Sequence, residues 1–157
     1  FLSLRDYQWL ASRMRDTLVD SEAGVHLCPM DDFGYFPLDP ALQHLHQSWV
    51  GCMAGVEVIG IRSNGDVLGC LSLGDDFVEA NVRQRPLPQI WQAPASFARF
   101  RRKHALLTGH CAACAFGERC GAGCSAIAHS ATGNIGENPY CLRHLETQRI
   151  VGDLFER

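Results

Sequence analysis

The sequence predicts an α+β fold in which a β-hairpin and a cysteine-rich loop region combine with a few helices. The chain has 157 residues, of which 46% are hydrophobic and 20% are charged, as is typical of one globular domain with a substantial core. Residues 56–68 have the pattern of a hairpin. Residues 109–141 are rich in cysteine and glycine and show little hydrophobic periodicity, so we expect irregular loops there.

Composition and charge argue against two classes of protein. The formal net charge of −3 argues against a nucleic-acid binder that relies on a positive field. No apolar run approaches the ~18 residues of a membrane-spanning helix, so we expect neither nucleic acid nor a membrane as a partner. The chain starts at Phe1 without an initiator Met or an apolar leader. We therefore expect a piece of a longer, cytoplasmic polypeptide.

The first predicted elements are a helix and a short buried strand. Ser3 and Asp6 have the spacing of a capping box, and apolar residues then recur at helical spacing as far as Leu18. Residues 25–28 form an apolar run that a proline closes, as in a buried strand. This order suits the end of a parallel α/β unit. Loop-forming residues at 31–47 then indicate a linker at a domain boundary.

The β-hairpin is the clearest local pattern. Residues 56–62 are rich in β-branched side chains, and the strand resumes at Val67. Between them, Asn64 and Gly65 are typical of a two-residue type I′ turn.

Two short helices are predicted after the hairpin, among the prolines, and a closing helix after Cys141. We expect the large aromatic side chains near the two short helices, and one further upstream, to lie in the core: Trp49, Trp91, Phe97 and Phe100. The basic residues that crowd the second short helix are expected on a solvated face: Arg99, Arg101, Arg102 and Lys103.

Eight cysteines, about 5% of the chain, are the anomaly in the composition. Five lie near the carboxyl end in the order C-x2-C-x5-C-x3-C, with a last one after sixteen residues: Cys111, Cys114, Cys120, Cys124 and Cys141. Three lie further upstream, the last two in the pattern C-x12-G-x4-C: Cys28, Cys52 and Cys70. A core of this size does not need disulfides for stability, so the spacing itself needs an explanation.

Disulfides, zinc and iron–sulfur clusters compete as explanations. Disulfides require an oxidising compartment, and nothing in the sequence indicates secretion. Zinc suits a C-x2-C pair, and His110, His129 and His144 are close enough in sequence to complete a site. Seven or eight thiolates also suit iron–sulfur cubanes, which take four cysteines each. The glycines beside the cysteines favour clusters, because they allow close backbone approach.

The order C-x12-G-x4-C, then C-x2-C-x5-C-x3-C, then a final cysteine resembles the seven-cysteine signature of the SPASM domain. This domain is the auxiliary-cluster module of radical S-adenosylmethionine (SAM) enzymes, many of which modify ribosomally made peptides. The resemblance covers about residues 48–145 and includes the segments 61–67, 87–91 and 120–124. It implies that residues 1–40 are the end of a radical SAM partial barrel with its linker, and that 41–157 are the SPASM domain.

The resemblance also implies two [4Fe–4S] clusters. By position, it assigns three cysteines to the first cluster: Cys52, Cys70 and Cys124. It assigns four to the second: Cys111, Cys114, Cys120 and Cys141. The first cluster is then one ligand short, and Cys28 is the candidate for that place, the alternative being a buried free thiol. His110 and His144 are expected either to hydrogen-bond cluster sulfur or to lie on the surface. Zinc readily occupies vacated thiolate sites in an aerobic preparation.

The sequence lacks the motif that cleaves SAM. Radical SAM chemistry needs C-x3-C-x2-C, and Ile127 stands where the third cysteine would follow Cys120 and Cys124. We therefore expect no catalytic residue in this chain, with SAM bound only in the barrel of the same polypeptide. The expected roles are electron transfer and binding of a peptide substrate. The alternative is a non-catalytic, zinc-binding interaction module.

Overall fold

Helices and one small antiparallel sheet make up the chain in the computed structural model, which describes residues 1–19, 24, 27, 33, 35–43 and 51–155. The elements in chain order are α1 Leu4–Val19, β1 Gly60–Ile61, β2 Asp66–Leu68, β3 Val78–Asn81, α2 Leu87–Gln92, α3 Ala98–Arg101, α4 Gly109–Ala112, α5 Gly117–Cys120, α6 Ser125–Thr132 and α7 Leu142–Phe155. Single 3₁₀ turns lie at Asp75–Phe77 and Lys103–Leu106. This mixture agrees with the predicted α+β class.

The first helix begins as predicted. The hydroxyl of Ser3 accepts the backbone N–H of Asp6 at 3.1 Å and donates to its carboxylate at 2.7 Å, so one backbone N–H of the first turn is capped and the two side chains are joined. The buried face of α1 packs against α7, the predicted closing helix, in a small hydrophobic core formed by Tyr7, Ala11, Phe33, Leu42, Leu142 and Leu145. No helix in the described ranges is both long and apolar enough to cross a membrane.

The strand predicted at 25–28 falls mostly outside the described residues. Leu27 is described and does not lie in a strand. Cys28 and Trp49 also lie outside the described residues. The described residues between 33 and 43 form mainly bends and turns, as predicted for a loop region.

The hairpin is confirmed, but its turn differs from the prediction. β1 and β2 pair Ile61 with Val67, and the N–H of Arg62 donates to the carbonyl of Asp66 at 2.9 Å. The connecting loop is therefore three residues long. Within it, Gly65 has a φ of +95°, whereas Asn64 has no positive φ. A type I′ turn needs positive φ at both positions, so that prediction was wrong. A type I turn followed by a left-handed glycine explains the geometry.

The sheet also differs from the prediction in its extent. Residues 56–58, predicted as strand, form a turn because their three N–H groups all donate to the carbonyl of Met53 at 3.0–3.1 Å. Sequence analysis missed β3, which pairs antiparallel with β2 and completes a three-stranded sheet in the order β1-β2-β3. A bulge at Val67/Leu68 interrupts this second pairing.

The main core lies between the sheet and the short helices that follow it. Phe97 is 0% exposed and Phe100 is 4% exposed, which confirms their predicted place, and Trp91 packs against them partly buried. The region 109–141 is more helical than predicted, since it contains α4, α5 and α6. Cys120 ends α5, whereas Cys124 and Cys141 directly precede α6 and α7 and accept the N–H groups of Ala128 and Leu145.

Candidate metal centre

Four cysteines line one small cavity between α4, α5 and the start of α7. Cys111, Cys114, Cys120 and Cys141 share it with aromatic side chains that include Phe36 and Phe116. We call this the four-cysteine pocket. It brings together the set that the resemblance assigns to the second cluster, although these residues are up to thirty positions apart in the sequence. In the described part of the chain, no three His, Cys, Asp or Glu side chains already converge as ligands of a single metal ion.

Close packing of two short helices holds these cysteines in place. Cys111 lies in α4, and Cys120 ends α5. At the start of α5, a Cβ on Gly117 would approach the Cys111 carbonyl oxygen to 2.6 Å, so only glycine lets the two helices come this close. Gly121, with a φ of +59°, then ends α5 by donating its N–H to the Gly117 carbonyl.

Every sulfur of the four-cysteine pocket has a backbone hydrogen bond. The N–H of Phe116 donates to Cys114 Sγ at 3.4 Å. The other three sulfurs are bonded by backbone groups of residues further along the chain: Cys111 by Asn138, Cys120 by Gly123 and Cys141 by His144. An N–H aimed at sulfur favours the thiolate over the thiol. Such bonds also tune the potential of an iron–sulfur cluster.

Burial raises the pKa of three of these thiols, whereas the backbone hydrogen bonds lower it. Burial raises the pKa of Cys120 to about 11 and that of Cys141 to about 12. It also raises the pKa of Cys111. Burial outweighs the opposing effect of the Lys103 ammonium on Cys111 and Cys120, so these thiols stay protonated at neutral pH, and a bound metal would displace their protons. An all-sulfur donor set of this kind suits zinc or an iron–sulfur cluster.

The remaining motif cysteines lie outside the four-cysteine pocket. Cys52, Cys70 and Cys124 are each partly exposed and pack against the main core. Cys124 precedes α6, and its N–H donates to the hydroxyl of Tyr35 at 3.3 Å. This is the set assigned to the first cluster. The fourth ligand proposed for it, Cys28, falls outside the described residues.

The loop between Cys120 and Cys124 joins the two groups of cysteines. Its three middle residues all have left-handed backbone angles, with φ of +59° at Gly121, +57° at Ala122 and +64° at Gly123. A Cβ on Gly123 would lie 2.5 Å from the ring of Tyr35, so this position needs glycine for space as well as for conformation.

Lys103 contradicts the prediction of a solvated basic face. It is 6% exposed, and its ammonium donates to the Gly123 carbonyl at 2.8 Å. Arg101 is also half-buried, because its guanidinium packs over the Trp91 ring at 4.6 Å. Lys103 follows Phe97 and Phe100 at intervals of three residues. That helical spacing places it on the buried face and could have identified it.

Two of the three candidate histidines lie at the four-cysteine pocket. His110 Nε2 is 3.4 Å from Cys111 Sγ, and the His110 ring stacks on His144 with 3.9 Å between centroids. Burial, and then the neighbouring His110, lowers the pKa of His144. His129 lies elsewhere, edge-on to the Phe77 ring at 4.7 Å.

An aromatic stack that the sequence did not reveal lines the same pocket. The rings of Phe36 and Phe116 stack with 4.7 Å between centroids. Arg143 lies over Phe116 at 4.4 Å and donates to the Phe36 carbonyl at 2.7 Å. This contact ties residue 36 to α7 at the edge of the pocket.

Two unpaired polar atoms support a fit to an anionic, sulfur-rich group. Among the described residues, Asn138 Nδ2 and Ser125 Oγ are buried without a hydrogen-bond partner. Asn138 bonds Cys111 through its backbone, and Ser125 directly follows Cys124. Such buried groups usually have a partner, and cluster sulfides accept hydrogen bonds. The donors around the four-cysteine pocket therefore fit an anionic, sulfur-rich group.

Comparison with known proteins identifies the class of this region. Residues 52–115 match the SPASM family, an iron–sulfur cluster-binding domain, which confirms the resemblance. The chain therefore carries a SPASM domain. The match includes Cys52, Cys70, Cys111 and Cys114 and ends before the other three motif cysteines.

Two curated relatives extend the similarity. The chain is 34% identical over 121 residues to an AdoMet-dependent heme synthase of Nitratidesulfovibrio vulgaris, covering 76% of this chain and 29% of that protein. It is 32% identical over 109 residues to a pre-heme d1 synthase of Dinoroseobacter shibae, covering 65% of this chain and 27% of that protein. The chain thus spans less than a third of the length of either relative.

Proposed function

We propose that this chain is the auxiliary cluster-binding part of a radical SAM enzyme and holds two [4Fe–4S] clusters. The observation that carries the proposal is the four-cysteine pocket, in which each sulfur has a backbone hydrogen bond inside a SPASM-containing chain. Bound clusters would supply sites for one-electron transfer. The chain's own residues bury the thiols, direct N–H groups at them and restrict access of water.

Iron and acid-labile sulfide analysis of anaerobically purified protein tests this proposal. Two cubanes require about eight irons and eight sulfides per chain. One or two zinc ions without sulfide would overturn it and favour the zinc-binding interaction module. Anaerobic purification is essential, because zinc occupies vacated thiolate sites.

The substrate that we propose for the whole enzyme is a tetrapyrrole. Both curated relatives are named as heme synthases of some kind, and neither name refers to a peptide. Peptide modification stays a prediction from the resemblance, without support from these relatives. The test is to incubate the full-length polypeptide with SAM, dithionite and either an iron porphyrin precursor or candidate peptides. A changed porphyrin absorption spectrum supports the tetrapyrrole, whereas a changed peptide mass with an unchanged porphyrin overturns it.

The proposed partner of this chain is a radical SAM barrel in the same polypeptide, whose end would lie in residues 1–40, with 41–157 as the accessory domain. SAM would then bind in the barrel, because the chain has no C-x3-C-x2-C loop. We also propose Cys28 as the fourth ligand of the first cluster. Cys28→Ala is expected to change the electron paramagnetic resonance (EPR) signal of that cluster alone, and identical spectra would exclude this role.

A further inference from the structure

Lys103 occupies the junction between the two groups of cysteines. Its ammonium is held by the carbonyl of Gly123, and its Cδ lies 3.8 Å from the point that a Cβ on Gly121 would take. Both glycines belong to the loop that starts at Cys120, in the four-cysteine pocket, and ends at Cys124, in the other group. The lysine side chain therefore lies along the one short segment that both groups share.

The sulfurs that interact electrostatically with Lys103 come from both groups. Burial lowers the pKa of the Lys103 ammonium, and four cysteines oppose this effect: Cys52 and Cys124 of the first group, and Cys120 and Cys111 of the second. The ion pairs formed among the described residues include no partner carboxylate for Lys103. A buried ammonium with one carbonyl partner is costly unless negative charge lies nearby. Thiolates on both sides supply that charge when metal is bound.

We propose that Lys103 is a positioning residue whose positive charge is shared by the two cluster sites and raises the reduction potential of both. The inference rests on the proposed function. A cubane with thiolate ligands becomes more negative on reduction, so a fixed cation in a low-dielectric setting favours the reduced state. Because Lys103 lies between the groups, removal of its charge is expected to affect both potentials, and not one alone.

The test compares Lys103→Gln and Lys103→Arg with the unmodified chain, each reconstituted anaerobically with iron and sulfide. Gln can still donate to the Gly123 carbonyl but has no charge, whereas Arg keeps the charge. Arg102→Gln is the matched control, because it removes the same charge from the neighbouring, exposed position. The readout is a dithionite titration of each cluster's EPR signal.

The expected result is a shift of both midpoint potentials to lower values in Lys103→Gln, with a smaller shift in Lys103→Arg and none in Arg102→Gln. If Lys103→Gln cannot be loaded, loss of both clusters with retention in Lys103→Arg supports the proposal. A shift at one cluster only, no shift, or equal effects of Gln and Arg would overturn it. Failure of the unmodified chain to bind clusters would instead overturn the proposed function, so the two failures are distinguishable.

Discussion

The hydroxyl of Tyr35 accepts a hydrogen bond from the backbone N–H of Cys124, 3.3 Å away, although the two residues are 89 positions apart. Tyr35 is 2% exposed. The next residue, Phe36, lines the four-cysteine pocket. Residues 35 and 36 therefore lie at both groups of cysteines, and the segment before the SPASM match lines the candidate metal centre.

The Tyr35 hydroxyl is expected to matter for the first group of cysteines. Tyr35→Phe removes the acceptor of the Cys124 N–H and is expected to lower the free energy of unfolding by about 1 kcal/mol, measured by urea titration. The EPR signal of the first cluster should change more than that of the second. Tyr140→Phe is the control, because that hydroxyl bonds the Leu2 carbonyl and its residue adjoins Cys141 of the other group. Equal effects of the two variants would contradict this role.

Gly123 is expected to tolerate no side chain. Gly123→Ala would place a Cβ 2.5 Å from the Tyr35 ring at a φ of +64°, so it combines a clash with left-handed strain. The strain alone costs roughly 1–2 kcal/mol. Gly133→Ala is the control for strain, since it has a φ of +75° and no atom within 4 Å of the new Cβ. Urea unfolding should show a clearly larger loss for Gly123→Ala, and similar losses would refute the clash.

Cysteine substitutions should show that each of the two groups of cysteines holds its own cluster. Cys120→Ala is expected to reduce iron and sulfide by about half, because the four-cysteine pocket loses one of its ligands. Cys70→Ala should cause a similar loss and leave the other cluster's EPR signal. The two spectra should sum to that of the unmodified chain. Full metal content in Cys120→Ala would show that the ligand assignment is wrong.

The metal-free chain should lose stability at alkaline pH. The pKa of Cys141 is raised from 9.0 to about 12 in the folded chain, so its neutral thiol stabilises the fold below about pH 9. That contribution is lost as pH rises from 9 towards 12, because the unfolded thiol ionises first. Urea unfolding of the chelator-treated chain at pH 8 and pH 10 measures it. Cys141→Ala should show a smaller loss over this interval, and an equal loss would contradict the assignment.

Local chemistry in the sequence was enough to predict several elements. The capping box at Ser3 and Asp6 requires only residues within one turn, and its Ser3 half is formed as predicted. The hairpin depends on neighbouring strands, so it was identified as well. Its turn was not, because Asn-Gly suits both a two-residue and a three-residue loop, and the pairing of Ile61 with Val67 selects the longer one.

The order of the cysteines in the sequence, through its resemblance to a known signature, was enough to predict which class of domain this chain contains. Tertiary structure alone decided what surrounds those cysteines. Lys103 is buried rather than solvated, Phe36 stacks on Phe116, and Tyr35 meets Cys124. These contacts join segments far apart in sequence, and they depend on how short helices pack across a glycine-lined loop. Periodicity within one segment could have indicated that Lys103 is buried, but it carries no information about which distant residues such a side chain meets.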